Sequence, residues 1–288
     1  MYGVVILNYN SYDETTALAL NLINFDNVGK IVIVDSNSND DFTAFVVKNN
    51  FNNKIKYIKL EKNSGYAVGN NVGLRYLYTH GYEVGFIANP DVVFTEDASD
   101  KMYNFLKQHN NYGVVSCKRT IGKSGVSGQY WNLPNFKDCL FESIYFGRKK
   151  QDSKYKRYFE KVWNDNTSEY YDVEVVGGAF FGCNLSIMNK IGYLNEKTFL
   201  WYEENILAYN LRKYGYKEAL LLNCNYMHNH FRKRRGNNKH DIYLKSKKVY
   251  CYDCLNVSNM QKILLAIFDC IGLIESKFIY LLAGILKH

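Results

Sequence analysis

Glycine-rich nucleotide motifs are the first thing this sequence lacks. Neither the dinucleotide fingerprint Gly-x-Gly-x-x-Gly nor the phosphate-loop pattern Gly-x-x-x-x-Gly-Lys-Ser/Thr occurs, which argues against a Rossmann dehydrogenase and more strongly against a kinase or NTPase. The seven cysteines are scattered and odd in number, so they suit a reducing compartment better than a disulfide framework. Cys251-x-x-Cys254 has no second pair at zinc spacing, which leaves a structural zinc site without half its ligands. No basic segment leads into a signal-type apolar core at the N-terminus, and the expectation is a protein that is not secreted. No apolar run reaches the ~20 residues that a membrane-spanning helix needs.

Proline is scarce too, with two copies in the chain, and this makes the position of Pro90 informative. Phe86-Ile87-Ala88 is an apolar run that ends in Asn89-Pro90-Asp91 and resumes as Val92-Val93-Phe94. Proline has no N–H and holds φ near −65°, so it belongs at a strand end and stiffens the residues after it. A carboxylate held there suits a divalent cation carrying phosphates, because hard cations take oxygen ligands and often keep only one or two protein carboxylates. A turn aspartate after a buried strand is the plain alternative.

What is present is the composition of a globular protein, 47% hydrophobic and 22% charged over 288 residues. That is enough chain for one large or two small domains with a sizeable core. Tyrosine is abundant, at 26 copies beside 17 phenylalanines, which favours stacking surfaces for flat ligands or sugars. The net charge of +8 is concentrated late, in Arg232-Lys233-Arg234-Arg235 and Lys245 to Lys248. Such an excess points to an anionic partner: a phosphorylated substrate, an acidic membrane face or nucleic acid.

Along the first part, short apolar runs alternate with helical patterns. The runs are Val4–Leu7, Ile31–Val34, Ile55–Leu60, Val84–Ala88 and Gly113–Ser116, with helices expected to about Ile23 and to about Tyr78. This predicts an α/β fold with a mostly parallel sheet covered by helices on both faces. Ligands bind such sheets outside the carboxyl ends of the strands. Those ends carry Asn8, Asp35, Asn63 and Asp91, four polar stations converging on one crevice. Gly65, Gly69 and Gly73 recur every four residues, near one face of a helix, where they permit close packing or close approach of a ligand. Gly122 to Gly128 reads as a flexible loop, and 148–170 as a polar, charged stretch. Further on, Val175 to Gly182 reads as a strand entering a glycine-rich turn, where backbone can approach a substrate. Phe199-Leu200-Trp201-Tyr202 leads into Glu203-Glu204 and a helix to about Tyr214 that Gly215 stops. Acids at a helix start favour its positive dipole end. Beside bulky rings they are also partly desolvated, which raises proton affinity toward that of a useful base.

Val4 to Asn10, Val34 to Asp40, Asn63 to Ala67, Asn89-Pro90-Asp91 and Phe199 to Leu211 stand in the order seen in glycosyltransferase family 2, and the sequence most resembles its bacterial rhamnosyltransferase-like branch. The likeness covers roughly residues 2–230. It implies the GT-A fold, with a Rossmann-like nucleotide-binding part over about 1–117, an acceptor-binding part over about 118–230, and a C-terminal helical extension from 231. It implies transfer of a sugar, with inversion, from a UDP- or dTDP-linked donor to a glycan or lipid-linked acceptor in bacterial cell-surface (capsular) polysaccharide synthesis. By position, Asp35 resembles the residue that reads the base, with Asn8, Asn10, Asn37, Asn63, Gly65 and Asn70 around the nucleotide. Asp91 resembles the last acid of Asp-x-Asp and, with a late histidine, His228 or alternatively His230, would hold Mn2+ or Mg2+. Glu204 stands where the family has its catalytic base, with Glu203 a competitor, and Gly178, Ala179 and Trp201 fall on the acceptor side. Two departures stand out: Asn89 replaces the first acid of Asp-x-Asp, and Glu replaces Asp at 204.

Lys262 to Lys287 is strongly apolar, but Asp269, Glu275 and Lys277 interrupt it. At 100° per residue Lys262, Asp269, Ser276 and Lys287 share one polar stripe, which predicts an amphipathic helix. It can pack on the domain, form a homodimer or lie in a membrane interface. Beside the basic stretch, the expectation is a cytoplasmic protein attached peripherally to the inner face of the plasma membrane. A polymerising synthase would need membrane spans and Gln-x-x-Arg-Trp, which are missing. A non-catalytic sugar- or nucleic-acid-binding protein would explain the tyrosines and the basic tail, yet would not need carboxylates at four sites.

Overall fold

The computed structural model describes residues 1–49, 53–120, 130–145, 147, 167–229 and 239–285. The loop expected at 122–128, most of the polar stretch at 148–170, His230 and Arg232 to Arg235 lie outside these residues.

Four strands build the first half of the sheet: β1 (Tyr2–Asn8), β2 (Val28–Asp35), β3 (Ile55–Lys59) and β4 (Val84–Ala88). They run parallel in the order β3-β2-β1-β4, with Asn8 paired to Asp35 and Ile6 to Ala88. Their apolar runs are nearly continuous because both faces are covered. Tyr2, Val4 and Ile6 face one core with Leu18, Leu22 and Met102, while Val5 faces another with Leu74 and Leu77. Helices α1 (Tyr12–Ile23), α2 (Thr43–Asn49) and α3 (Tyr66–Thr79) make the crossovers. The glycines of α3 serve packing: a Cβ at Gly73 would lie 2.4 Å from Val5 Cγ1, and one at Gly69 2.2 Å from Leu7 Cδ1. The helix rests directly on β1.

Beyond β4 come β5 (Val92–Phe94), α4 (Glu96–Gln108), β6 (Tyr112–Thr120), β7 (Tyr130–Trp131), α5 (Phe136–Phe141), β8 (Tyr170–Val173), β9 (Val175–Val176) and β10 (Phe180–Asn184). Next in the chain are α6 (Leu185–Ile191), α7 (Glu203–Lys213) and β11 (Lys217–His228). The sheet continues β4-β10-β6-β11-β5, with β8 also on β11. Strand β10 is antiparallel to both β4 and β6, so the fifth sequence-predicted strand, β6, does not adjoin β4. Strand β11 is parallel to β6 and antiparallel to β5, and pairs His228 with Val92. That pairing carries a residue from late in the chain to the Asn-Pro-Asp turn.

The C-terminal helices α8 (Lys239–Asp253) and α9 (Asn259–Ile285) close a third, smaller core with α5 and α7, containing Tyr202, Tyr250, Cys251, Cys254 and Leu265. Asp269 does not face solvent as a polar stripe would require. It is buried and accepts from Lys247 Nζ at 2.6 Å and from Ser143 Oγ at 2.8 Å, with Lys247 itself fully buried. Burying a carboxylate demands a partner, and this pairing turns the opposite side of α9 outward. Met260, Ile263, Ile267 and Ile274 are consequently exposed.

Candidate active site

Asn8 and Asp35 end adjacent strands and are both fully buried. Asn8 Nδ2 lies 2.9 Å from Asp35 Oδ1, 3.1 Å from Ser38 Oγ and 3.0 Å from Asp40 Oδ2, while its Oδ1 accepts from Thr15 Oγ1 at 2.9 Å. Lys59 Nζ stands 3.9 Å from Asp35. Asp35 therefore organises the loop after β2 from below and presents no surface of its own. Asn10 and Asn37 form the exposed rim, both in left-handed backbone with φ of 52° and 57°. Asn10 Oδ1 accepts from Asn39 N at 3.2 Å, which joins the β1 and β2 loops. Sequence reasoning passed over Thr15, Ser38 and Asp40, whose short polar side chains look like ordinary loop composition.

The loop before α3 meets the other half of the protein. Asn63 Oδ1 accepts from Gly65 N at 3.0 Å. Gly65 has φ of +97°, and a Cβ there would lie 2.3 Å from the Phe199 carbonyl oxygen. Only glycine combines that φ with so close an approach. Tyr66 N then donates to the same carbonyl at 2.8 Å. Asn70 is fully buried; its Nδ2 donates to Tyr66 O at 3.0 Å and its Oδ1 has no hydrogen-bond partner.

Residues 177–179 join the acids. Gly178 N donates to Glu204 Oε1 at 3.1 Å. The Tyr66 hydroxyl donates to Gly178 O, and Ala179 O accepts from Asn89 N at 2.9 Å. Past Asn89-Pro90, Asp91 Oδ1 lies 3.1 Å from His228 Nε2. A single run of contacts thus leads from Glu204 through Gly178, Ala179 and Asn89 to Asp91 and His228. Asp35 ends β2, separated from β4 by β1 alone, which at a strand spacing of about 4.8 Å places it roughly 10 Å from Asn89. A cavity of about 530 Å³ opens at Asp91, lined also by Asp13, Glu14, Pro90 and Asn229; Asp35 and Glu204 do not line it.

The two glutamates differ. Glu203 is 3% exposed and its Oε2 has no partner. Burial, then the neighbouring charge of Glu204, pushes its pKa well above the ordinary carboxylate value. Glu204 is half-buried; desolvation raises its pKa, opposed by hydrogen bonds from its own N–H and that of Gly178. Glu204 is the member that faces the 177–179 loop, through the hydrogen bond from Gly178 N. Burial and the charges of both glutamates hold the Tyr66 phenol protonated by pushing its pKa up. A third buried acid, Glu218, stands nearby: its Oε2 accepts from Val176 N at 2.7 Å and its Oε1 has no partner. Burial comes first among the causes that raise its pKa, followed by the charge of Glu204. Arg119 is the cation that sequence reasoning missed. It is buried opposite Tyr226 on the adjacent strand, and its Nε has no partner.

Asp91 and His228 set a carboxylate oxygen and an imidazole nitrogen side by side, and among the described residues no third His, Cys, Asp or Glu completes a metal cluster. That donor set fits a divalent cation when a substrate diphosphate supplies further oxygens.

Residues 3–164 match a family model described as Glycosyl transferase family 2. The chain belongs to that family. A curated relative, the low-salt glycan biosynthesis hexosyltransferase Agl10 of Haloferax volcanii, is 26% identical over 215 residues, which cover 73% of this chain and 61% of that protein. The chain therefore spans about three fifths of the length of this relative. The fold is similar to that of GalNAc-T7, crystallised with UDP, GalNAc and Mn2+ (TM-score 0.62, 12% identity, 88% of this chain and 50% of the other). It is also similar to a mannosyltransferase of Pyrobaculum calidifontis in complex with GDP-Man and Mn2+ (TM-score 0.58, 14% identity, 99% and 79%). A third is S. aureus TarS 1-349 in complex with UDP-GlcNAc (TM-score 0.56, 15% identity, 93% and 71%). The family 2 chain has the GT-A fold of these structures.

Proposed function

We propose that the protein is an inverting glycosyltransferase that moves a sugar from a nucleotide diphosphate donor to a hydroxyl of a glycan or lipid-linked acceptor in cell-surface polysaccharide synthesis. The observation that carries this reading is the loop 177–179, which touches Glu204 on one side and the Asn-Pro-Asp turn on the other. This run of contacts supports a proton acceptor and a diphosphate station around one reaction centre. Residues 1–117 form the donor half and 118–230 the acceptor half of this scheme, which we assign to the rhamnosyltransferase-like branch.

The base and ribose lie against the rim built by Asn10 and Asn37, which Asp35 and Asn8 hold in place from beneath. Asp91 and His228 would hold Mn2+ or Mg2+ together with the diphosphate, and such a cation offsets the charge that develops on the leaving group. Arg119 adds a fixed positive charge on the neighbouring strand, of the kind that lowers the barrier when charge builds in a site shielded from water. Glu204 takes the acceptor hydroxyl's proton as the oxygen attacks the anomeric carbon. Attack on the face opposite the departing diphosphate, in one displacement, inverts the configuration. A positioned base contributes about 10²–10⁴-fold. Gly178, Ala179 and Trp201 border the acceptor's approach.

The exposed side of α9 supports peripheral attachment to an anionic membrane. Met260, Ile263, Ile267 and Ile274 lie outward, while Asp269 is turned inward and paired with Lys247. Among the described residues no helix is long and apolar enough to cross a membrane. The basic residues at 232–235, with Lys245 and Lys248, supply the attraction to acidic lipids.

The test is a panel of UDP-, dTDP- and GDP-sugars, scored for calorimetric binding and for donor hydrolysis. One donor bound and slowly hydrolysed is the expected result. Binding of free sugars or nucleic acid without hydrolysis of any donor would favour the non-catalytic alternative.

A further inference from the structure

The turn that delivers the two glutamates is held in an unusual backbone conformation. Trp201 and Tyr202 are consecutive and both left-handed, with φ of 69° and 66°. Each such bulky residue costs on the order of 1–3 kcal/mol, so surrounding contacts must impose the conformation. Tyr202 is the N-cap of α7 yet makes no side-chain cap hydrogen bond. Its phenol reaches away from the helix and donates to Glu142 Oε2, just past the end of α5. The Tyr243 hydroxyl of α8 donates to the same oxygen at 2.8 Å. The Tyr202 ring also packs against Tyr243 and Tyr250, with centroids 5.6 and 5.5 Å away. Two residues before Tyr202, Leu200 O accepts from Ser246 Oγ of α8 at 2.9 Å. On the opposite side Phe199 O is fixed by Tyr66 N. The turn is therefore clamped between the donor half and the C-terminal helices. That helical layer is itself locked by the buried Lys247–Asp269–Ser143 cluster. A half-buried carboxylate oxygen that accepts two phenol hydrogen bonds is a strong acceptor, and nothing in the transfer chemistry requires Glu142 to be there.

We propose that Glu142 and Tyr243 are positioning residues for the reaction: by holding Tyr202 left-handed, they fix the direction in which Glu203 and Glu204 leave the start of α7. The C-terminal extension is then part of the catalytic apparatus and not only a means of attachment. This rests on the reading of Glu204 as base.

The test uses Tyr243→Phe and Tyr202→Phe, which each delete one hydroxyl and keep the ring, with Glu142→Gln as a variant of nearly unchanged shape. Transfer kinetics, donor calorimetry and the pH dependence of kcat are measured on the full chain. Displacing a reacting group by about 1 Å costs about 10²-fold. The expected result is a 10- to 100-fold fall in kcat, with donor Kd and KM within twofold and the acid limb of the pH profile moved, because the carboxylate has changed its surroundings. A kcat within threefold of the parent with an unmoved acid limb would overturn the proposal. Parallel losses of kcat, donor affinity and folded fraction would overturn it as well, since they mark a merely structural contact. If the parent itself turns over no nucleotide sugar, the functional reading fails first, and that outcome is separate from active variants of an active parent.

Discussion

Replacing Gly178 by alanine moves the proposed base without touching its chemistry. A Cβ at 178 would lie 2.5 Å from Glu204 Oε1, where ordinary contact begins at 3.4 Å, so the carboxylate oxygen must retreat by about 0.9 Å. The retreat also breaks the 3.1 Å hydrogen bond from Gly178 N. The obstacle is the tip of a flexible side chain and not backbone, so the fold can absorb it. Loss of one hydrogen bond costs about 1 kcal/mol, and a glycine-to-alanine change at a compatible backbone position returns about 0.4–1 kcal/mol through the unfolded state. Stability should therefore stay nearly constant. A displacement of this size at a reacting group costs about 10²-fold in rate, or about 2.7 kcal/mol of barrier. Steady-state transfer, donor calorimetry and thermal melting together measure all three quantities. The expected outcome is kcat lowered about 100-fold, with Kd for donor and Tm little changed. A Gly178→Ala enzyme with kcat within threefold of the parent would refute the placement of the base against this loop.

Three further outcomes are expected. Glu218 is buried with a raised pKa, so between its unfolded pKa near 4.5 and its folded pKa the native state keeps a proton that the unfolded state loses. Stability from this group then falls as pH rises, by about 1.4 kcal/mol per unit within that window. Glu218→Gln, which keeps the bond from Val176 N, should raise Tm at pH 8 relative to pH 5, and equal shifts at both values would contradict the assignment. Asp91→Asn should weaken donor binding in the presence of Mn2+ or Mg2+ and leave it unchanged in EDTA; parent activity that EDTA does not touch would argue against an essential cation. Removing residues after about 258 should abolish flotation with anionic vesicles, and undiminished flotation would exclude α9 as the anchor.

Much of the parallel half of the sheet is legible from residues alone. Val4–Leu7, Ile31–Val34 and Val84–Ala88 are apolar on both faces because helices cover both, and that pattern survives without knowledge of any partner. The fourfold spacing of Gly65, Gly69 and Gly73 announces a tightly packed helix, although only the structure separates packing on Val5 and Leu7 from approach to a ligand. Asn-Pro-Asp and the glutamate pair are recognisable because proline scarcity and an aromatic lead-in mark them. Long-range pairing is what sequence periodicity does not reveal. Strand β10 enters between β4 and β6 through a register unrelated to chain order. Asp269 reads as the polar side of a surface helix because its partner Lys247 lies in a different helix. The left-handed Trp201-Tyr202 turn has no local signature, since neither residue is one that adopts positive φ by preference. Asp35 looks like an exposed ligand contact, yet it is fully buried by neighbours that only folding assembles.

Which carboxylate accepts the proton decides the mechanism. The direct measurement is single-turnover transfer by Glu204→Gln beside Glu203→Gln, each saturated with the donor identified by the panel. Because Glu203 is buried with its Oε2 unpartnered while Glu204 is the one that meets the 177–179 loop, the Glu203 amide should behave much like the parent. The Glu204 amide should bind donor normally and transfer about 10²–10⁴-fold more slowly. Near-parental transfer by Glu204→Gln would contradict the central claim.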